Sequence, residues 1–244
     1  MLECKSSTCE FIIQTGFPFV GIFTAYFIYL SPLKDVIPLY KKMGSRDVCQ
    51  INPYPIVMIF CNTLCQCFYA YVIHNHWVIW HNLGGTVAGL FFVVIVLYSS
   101  NLKKKDFNLA TITLLLLTFA NLGCAALAFI LFHDDYPKAK NTIGILNIVI
   151  LFGVYVSPLA TMYEVIKTRN SSSINFIMTI AMFINSILWT GYGFIINDFY
   201  IWFPNVVGIV STIIQFVLLI VFPSKKKNAD KKIEENINEK VINI

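Results

Sequence analysis

Charge is what this 244-residue chain has least of: Asp, Glu, Lys and Arg make up 13% of it, against about 25% in an ordinary soluble domain. Half the usual supply cannot coat a water-facing surface, which excludes a soluble enzyme, a nucleic-acid-binding protein and a disordered scaffold. The interiors of the long apolar runs hold no Lys, Arg or Asp, and only Glu164 stands near the end of one. Intramembrane ionisable groups mark proton relays and ion-coupled pathways, so their scarcity argues against ion coupling and against an ionic ligand. Paired acids, a Ser/His set and converging metal ligands are also missing. An intramembrane enzyme therefore has nothing to work with, and neither a metal nor a cofactor is expected. The seven cysteines are an odd number and form no disulfide ladder. Cys61, Cys65 and Cys67 fall within one apolar run, where cysteine packs as a small apolar residue, and they have no partners at ligand spacing. Cys4 and Cys9 are near enough to pair with each other.

What the chain does have is apolar length. It is 57% hydrophobic, with 21 Phe, 12 Tyr and a mean hydropathy of +0.69. Seven runs stand out, at roughly 11–30, 54–73, 78–98, 108–132, 141–163, 175–196 and 200–222, each near the 20 or so residues that cross a bilayer as a helix. The fold class is all-α integral membrane, with seven transmembrane helices and short connections. The leader is no secretory signal: it carries Glu3 and Glu10 beside a single Lys5, and the run after it is too long. Fifteen of the 18 Lys and Arg lie in loops one, three and five and in the C-terminal tail. By the positive-inside rule the N-terminus is outside and the tail cytoplasmic. The tail, rich in Lys, Glu, Asn and Ile, reads as a solvated segment whose Lys225-Lys226-Lys227 can touch anionic headgroups.

Self-similarity organises the runs. Ser31-Pro32-Leu33 corresponds to Ser157-Pro158-Leu159, Phe68-Tyr69-Ala70 to Gly191-Tyr192-Gly193, and Asn82-Leu83-Gly84-Gly85 to Asn205-Val206-Val207-Gly208. Tyr69 precedes Asn82 by 13 residues, as Tyr192 precedes Asn205; Pro32 precedes Tyr69 by 37, whereas Pro158 precedes Tyr192 by 34. The first copy thus has a loop three residues longer. The layout is an N-terminal stub (1–10), a three-helix repeat (11–98), a linker helix with flanking loops (99–140), a second three-helix repeat (141–222) and a polar tail (223–244). One linker helix makes both repeats enter the membrane in the same direction, giving two parallel three-helix bundles in a 3+1+3 arrangement.

Asn82 and Asn205 are the first candidates for binding, because an amide within an apolar span is costly unless it is hydrogen-bonded. Symmetry puts them at equivalent points on opposite bundles, and an amide's donors and acceptors suit a neutral polyhydroxylated ligand. Trp189 offers a flat apolar face for stacking on the C–H face of a pyranose. Asn62 and Gln66, one helical turn apart, can add polar contacts. His81, beside Asn82, is the one titratable group that qualifies the absence of ion coupling. Trp77, Trp80 and Trp202, near span ends, read as belt residues. Pro32, Pro38, Pro53, Pro55 and Pro158 punctuate the cytoplasmic half, where a missing backbone hydrogen bond suits hinges as well as helix ends.

The stretches Ser157-Pro158-Leu159 to Lys167-Thr168-Arg169, Trp189-Thr190-Gly191-Tyr192-Gly193, Asn197-Asp198 and Pro204-Asn205-Val206-Val207-Gly208 resemble the second repeat of SWEET (MtN3/saliva) sugar transporters. Pro32, Asn52-Pro53-Tyr54-Pro55, Phe68-Tyr69-Ala70 and Asn82 resemble the first repeat more loosely. SWEETs are one example of parallel repeats related by an axis along the membrane normal, with substrate at the repeat interface. The resemblance implies bidirectional, uncoupled alternating access by a uniporter, with a mono- or disaccharide held by Asn82, Asn205 and Trp189; the plasma membrane is the expected location, with an internal membrane as the alternative. It also implies an extracellular gate at Tyr69 and Asp198, and hinges near the inner gate at Pro32, Pro55 and Pro158, with Pro204 matching a further family position. The fourth hinge proline falls on Asn175, a departure from the family, and Gln66 stands where the family often has Trp or Ser. The implied partners are a neutral sugar and the lipid bilayer; a homo-oligomer is compatible with the chain, though no seam for one is legible. A transporter of another small solute with related architecture is the nearest competing reading, and a seven-span receptor a more distant one.

Overall fold

The computed structural model describes residues 11–41, 52–99, 102 and 104–224. The expected stub at 1–10 with Cys4 and Cys9, and the tail beyond 224, lie outside the described residues. Seven long apolar helices run through the rest: α1 (Ile12–Lys41), α2 (Pro53–Val72), α3 (His76–Tyr98), α4 (Lys104–Leu131), α5 (Tyr136–Thr168), α6 (Phe176–Ile195) and α7 (Phe199–Val221). Helix α3 packs between α1 and α2, and α7 between α5 and α6. The two bundles meet along α1–α6 and α2–α5, while α4 leans on α2 and α5. This is the 3+1+3 arrangement, and its core follows the α2–α3 contact, with Val57, Cys61, Cys65, Tyr69 and Val96 fully buried.

Side-chain caps set the helix starts. Asn52 accepts from the Tyr54 N–H at 3.0 Å, and Pro53 takes the first position of α2, where its missing N–H is not needed. Asp135 caps α5 through the Lys138 N–H at 3.1 Å, and Asn175 caps α6 through the Met178 N–H at 3.2 Å. The Lys138 side chain, hydrogen-bonded to Asp135, holds that carboxyl below its ordinary value.

The two hairpins α2–α3 and α6–α7 turn the same corner. Each closes with one left-handed residue, His74 (φ 50) or Asn197 (φ 53). The next N–H then reaches back five residues, Asn75 to the Ala70 carbonyl and Asp198 to the Gly193 carbonyl, both at 2.9 Å. That same residue caps the following helix: Asn75 accepts from the Val78 N–H at 3.2 Å and Asp198 from the Tyr200 N–H at 3.0 Å. So Asn75 and Asp198 occupy matched positions, 123 residues apart, as do Tyr69 and Tyr192.

Two helices outrun their hydropathy. The first apolar run was expected to end at residue 30; the chain turns at Ser31-Pro32 and resumes as Leu33–Lys41, burying Val36 and Leu39. Those residues are amphipathic, so mean hydropathy falls while the helix continues. Helix α5 likewise extends past 141–163 at both ends and passes through Pro158 unbroken.

Close approach fixes the hairpins. A Cβ on Gly193 would stand 2.7 Å from the Trp202 backbone nitrogen, which cannot swing aside, whereas one on Gly123 of α4 would meet nothing within 4 Å. Gly193→Ala should cost about 1–3 kcal/mol by overpacking, and Gly123→Ala should be neutral or stabilise by up to about 1 kcal/mol. Thermal unfolding in detergent, wild type beside each variant, separates the two.

Candidate functional site

A cavity of about 220 Å3 lies between the bundles, and its walls are lined in matched pairs. Asn62 faces Asn185, Thr63 faces Ser186, Gln66 is matched by Trp189, His81 by Pro204, and Asn82 by Asn205, all at an offset of 123 residues. Ala25 and Leu151, and Tyr29 and Tyr155, come from α1 and α5 at an offset of 126. The offset drops by three between the first and second helices of the repeat, where the first copy has the longer loop.

The two asparagines are held alike. Asn82 donates one amide N–H to the Val78 carbonyl at 2.9 Å, and Asn205 donates one to the Ile201 carbonyl at 2.7 Å. The remaining capacity of both belongs to the cavity wall. The Asn-x-x-Gly spacing now has a physical cause. One turn below each Asn, glycine leaves room for a tyrosine ring or hydroxyl: a Cβ on Gly85 would meet Tyr29 at 2.9 Å and Thr63 at 2.7 Å, and one on Gly208 would meet Ser186 at 2.6 Å and Tyr155 at 3.3 Å. The Tyr155 hydroxyl donates to the Pro204 carbonyl at 2.9 Å.

Trp189 is buried and wedged. Its indole nitrogen lies against Gly21, where a Cβ would come within 2.6 Å, and its ring lies 4.3 Å from the His81 ring. His81 in turn meets Tyr29, ring to ring at 5.9 Å and Nε2 to hydroxyl at 3.4 Å. His81 is therefore a packing partner of the tryptophan as well as a cavity residue, a contact that sequence spacing does not reveal.

At the cavity wall, polar side chains bridge the bundles. Asn62 donates to the Asn147 side-chain oxygen at 3.1 Å, and Thr24 donates to the Asn185 side-chain oxygen at 3.0 Å. Asn62 is thus partly engaged with α5, while Gln66 faces the cavity without such a bond among the described residues.

One end of the cavity is closed. The Tyr69 hydroxyl donates to Asp198 at 2.6 Å, and Asp198 is ion-paired with Lys140 at 2.7 Å, its side chain only 4% exposed. Beside this pair, Asn75 donates to the Tyr192 hydroxyl at 2.6 Å. Toward the other end lies a separate vestibule of about 750 Å3, lined by Pro32, Pro55, Ser157 and Asn175 among others. Pro158, next to Ser157, stands at this level of α5. Pro204 does not join them: it sits six residues into α7 on the wall of the central cavity. Asn75, Lys140, Asn147 and Asn185 are not singled out by the sequence, and Tyr192 stands out there only as a marker of the repeat. Adding 123 to Asn62 and to Asn75 reaches Asn185 and Asp198, so the repeat arithmetic contained the signal for two of these contacts.

Residues 141–227 match the sequence profile of a family described as "Sugar efflux transporter for intercellular exchange". The chain is 27% identical to the bidirectional sugar transporter NEC1 of Petunia hybrida, over 95% of this chain and 84% of the relative. It is 28% identical to the sugar transporter SWEET1 of Xenopus tropicalis, over 80% of this chain and 88% of that one. A solved eukaryotic SWEET transporter superposes with a TM-score of 0.72 at 21% identity, covering 86% of this chain and 97% of its own.

The bridge at the cavity wall makes a stability test. Asn62→Leu strands the buried amide of Asn147, and should cost roughly 1 kcal/mol and at most about 2. Asn62→Leu combined with Asn147→Leu should cost less than the sum of the two single changes, as read from thermal midpoints in detergent.

Proposed function

We propose that the chain is a SWEET-type transporter, a bidirectional facilitative sugar transporter working by alternating access. The observation that carries the reading is the amide pair: Asn82 and Asn205 stand on opposite walls of one cavity, each with one N–H spent on its own helix. Their remaining donors and acceptors meet a sugar's hydroxyls from both repeats at once. Trp189 stacks on the C–H face of the ring, and Gln66 offers an amide from the matched position.

Tyr69 and Asp198 form the outer gate in this reading, and the chain stands closed outside and open inside. Pro32, Pro55 and Pro158 flank the inner vestibule as hinges. Asn175, capping α6 at the fourth hinge position, replaces a proline's fixed φ with a side-chain hydrogen bond. The N-terminus lies outside, the C-terminus in the cytoplasm, and the plasma membrane is the location. No Asp, Glu, Lys or Arg lines the cavity among the described residues, so the sugar gradient alone drives transport.

Radiolabelled glucose uptake into proteoliposomes tests this. Uptake should be saturable and indifferent to a pH gradient. Asn82→Ala and Asn205→Ala should each lower it about tenfold, the scale of one or two lost hydrogen bonds, and Trp189→Ala should lower it as well. Dependence on the proton gradient would overturn the uncoupled mechanism and turn attention to His81.

A further inference from the structure

The closed end holds two cross-repeat hydrogen bonds, and only one of them belongs to the gate described so far. Tyr69 of α2 reaches across to Asp198 at the head of α7; Tyr192 of α6 is reached by Asn75 at the head of α3. The two pairs exchange under the same offset of 123 residues, both bonds measure 2.6 Å, and both tyrosines are buried. Each of the four residues is fixed by its own bundle. The tyrosines sit in the last turn of their helices, and Asn75 and Asp198 are held by the matching corners and caps.

We propose that Asn75 and Tyr192 form a second latch of the outer gate, so that opening requires both cross-repeat bonds to break. The proposal rests on the gate reading given above. A rigid-body separation of the repeats at this end pulls Tyr69 from Asp198 and, by symmetry, Tyr192 from Asn75. The two latches differ in chemistry. The first is charge-assisted, because Lys140, on α5 of the same bundle, pairs with Asp198. The second is neutral: Asn stands where the other copy has Asp, and Gln14 stands 126 residues before Lys140. The neutral latch reverses the donor, since the amide gives its N–H and the tyrosine hydroxyl accepts. Tyr192 also sets its ring edge-on to Trp189 at 5.5 Å, so the second latch ends directly on the wall of the ligand cavity.

Spin labels on His76→Cys and Tyr136→Cys, one in each bundle and both exposed at this end, report the open-to-closed ratio without any sugar. The full chain carries them in lipid nanodiscs, with its seven native cysteines changed to alanine. Tyr69→Phe should raise the open-to-closed ratio, giving a background in which the open state is populated. Adding Tyr192→Phe there should raise the ratio a further 2- to 12-fold or so, the range for one hydrogen bond. Asn75→Ser, which keeps an oxygen to cap α3 but is too short to reach Tyr192, should match Tyr192→Phe, and the two together should do no more than either, because they delete the same bond. A ratio unchanged by Tyr192→Phe in that background overturns the second latch and leaves the Tyr69–Asp198 gate intact. If Tyr69→Phe itself opens nothing, the outer-gate reading fails, and the second latch fails with it.

Discussion

Hydrocarbon offers a polar group nothing to bond with, and that constraint organises the whole molecule. Many of the intramembrane amides and hydroxyls among the described residues gather at the seam between the two bundles, in layers. Tyr69 with Asp198 and Tyr192 with Asn75 close one end, Asn82 and Asn205 line the middle, and Asn62 with Asn147 and Thr24 with Asn185 bridge the bundles at the cavity wall. The lipid-facing surfaces are apolar, with Phe119, Phe152 and Ile220 among the most exposed side chains. A seam of hydrogen bonds suits a joint that must separate. Each bond costs little net free energy to break once water or a ligand replaces the partner, whereas an interlocked apolar core would have to open voids.

Duplication supplied the scaffold, and substitution on it supplied direction. The same backbone positions carry Gln66 in one repeat and Trp189 in the other, His81 opposite Pro204, and Asn75 opposite Asp198. In the proposed transporter a sugar therefore meets an indole face on one wall and an amide on the other, which gives it one preferred orientation. The charged half of the closed end has its counter-ion in the same bundle. In this structure Asp198 is therefore not a bare carboxylate in a low-dielectric site, where an unpaired charge costs several kcal/mol.

Much of the candidate site was legible before any coordinates. Asn82, Asn205, Trp189 and Gln66 do line one cavity, because the conserved 13-residue step from Tyr to Asn puts equivalent side chains at equivalent heights on both bundles. Pro204 was less so. Its place among the hinges followed from family pattern, and its height in α7 puts it beside Asn205 rather than at the vestibule. Asn62, which the sequence offers as a further polar contact for a ligand, also bridges to Asn147, 85 residues away.

By itself the sequence determined the class, the number of spans and the duplication. Bilayer thickness dictates the length of an apolar run, and a repeat preserves spacing, so both survive in one dimension. Only the tertiary structure decided which polar groups meet. Whether Lys140 reaches Asp198, whether His81 packs between Tyr29 and Trp189, and whether Asn75 crosses to Tyr192 depend on the rotation and tilt of packed helices. Those are set by where glycine allows close approach, as at Gly21, Gly85 and Gly208. A shift of about one ångström there makes or breaks a 2.6 Å bond, and no spacing along the chain encodes it.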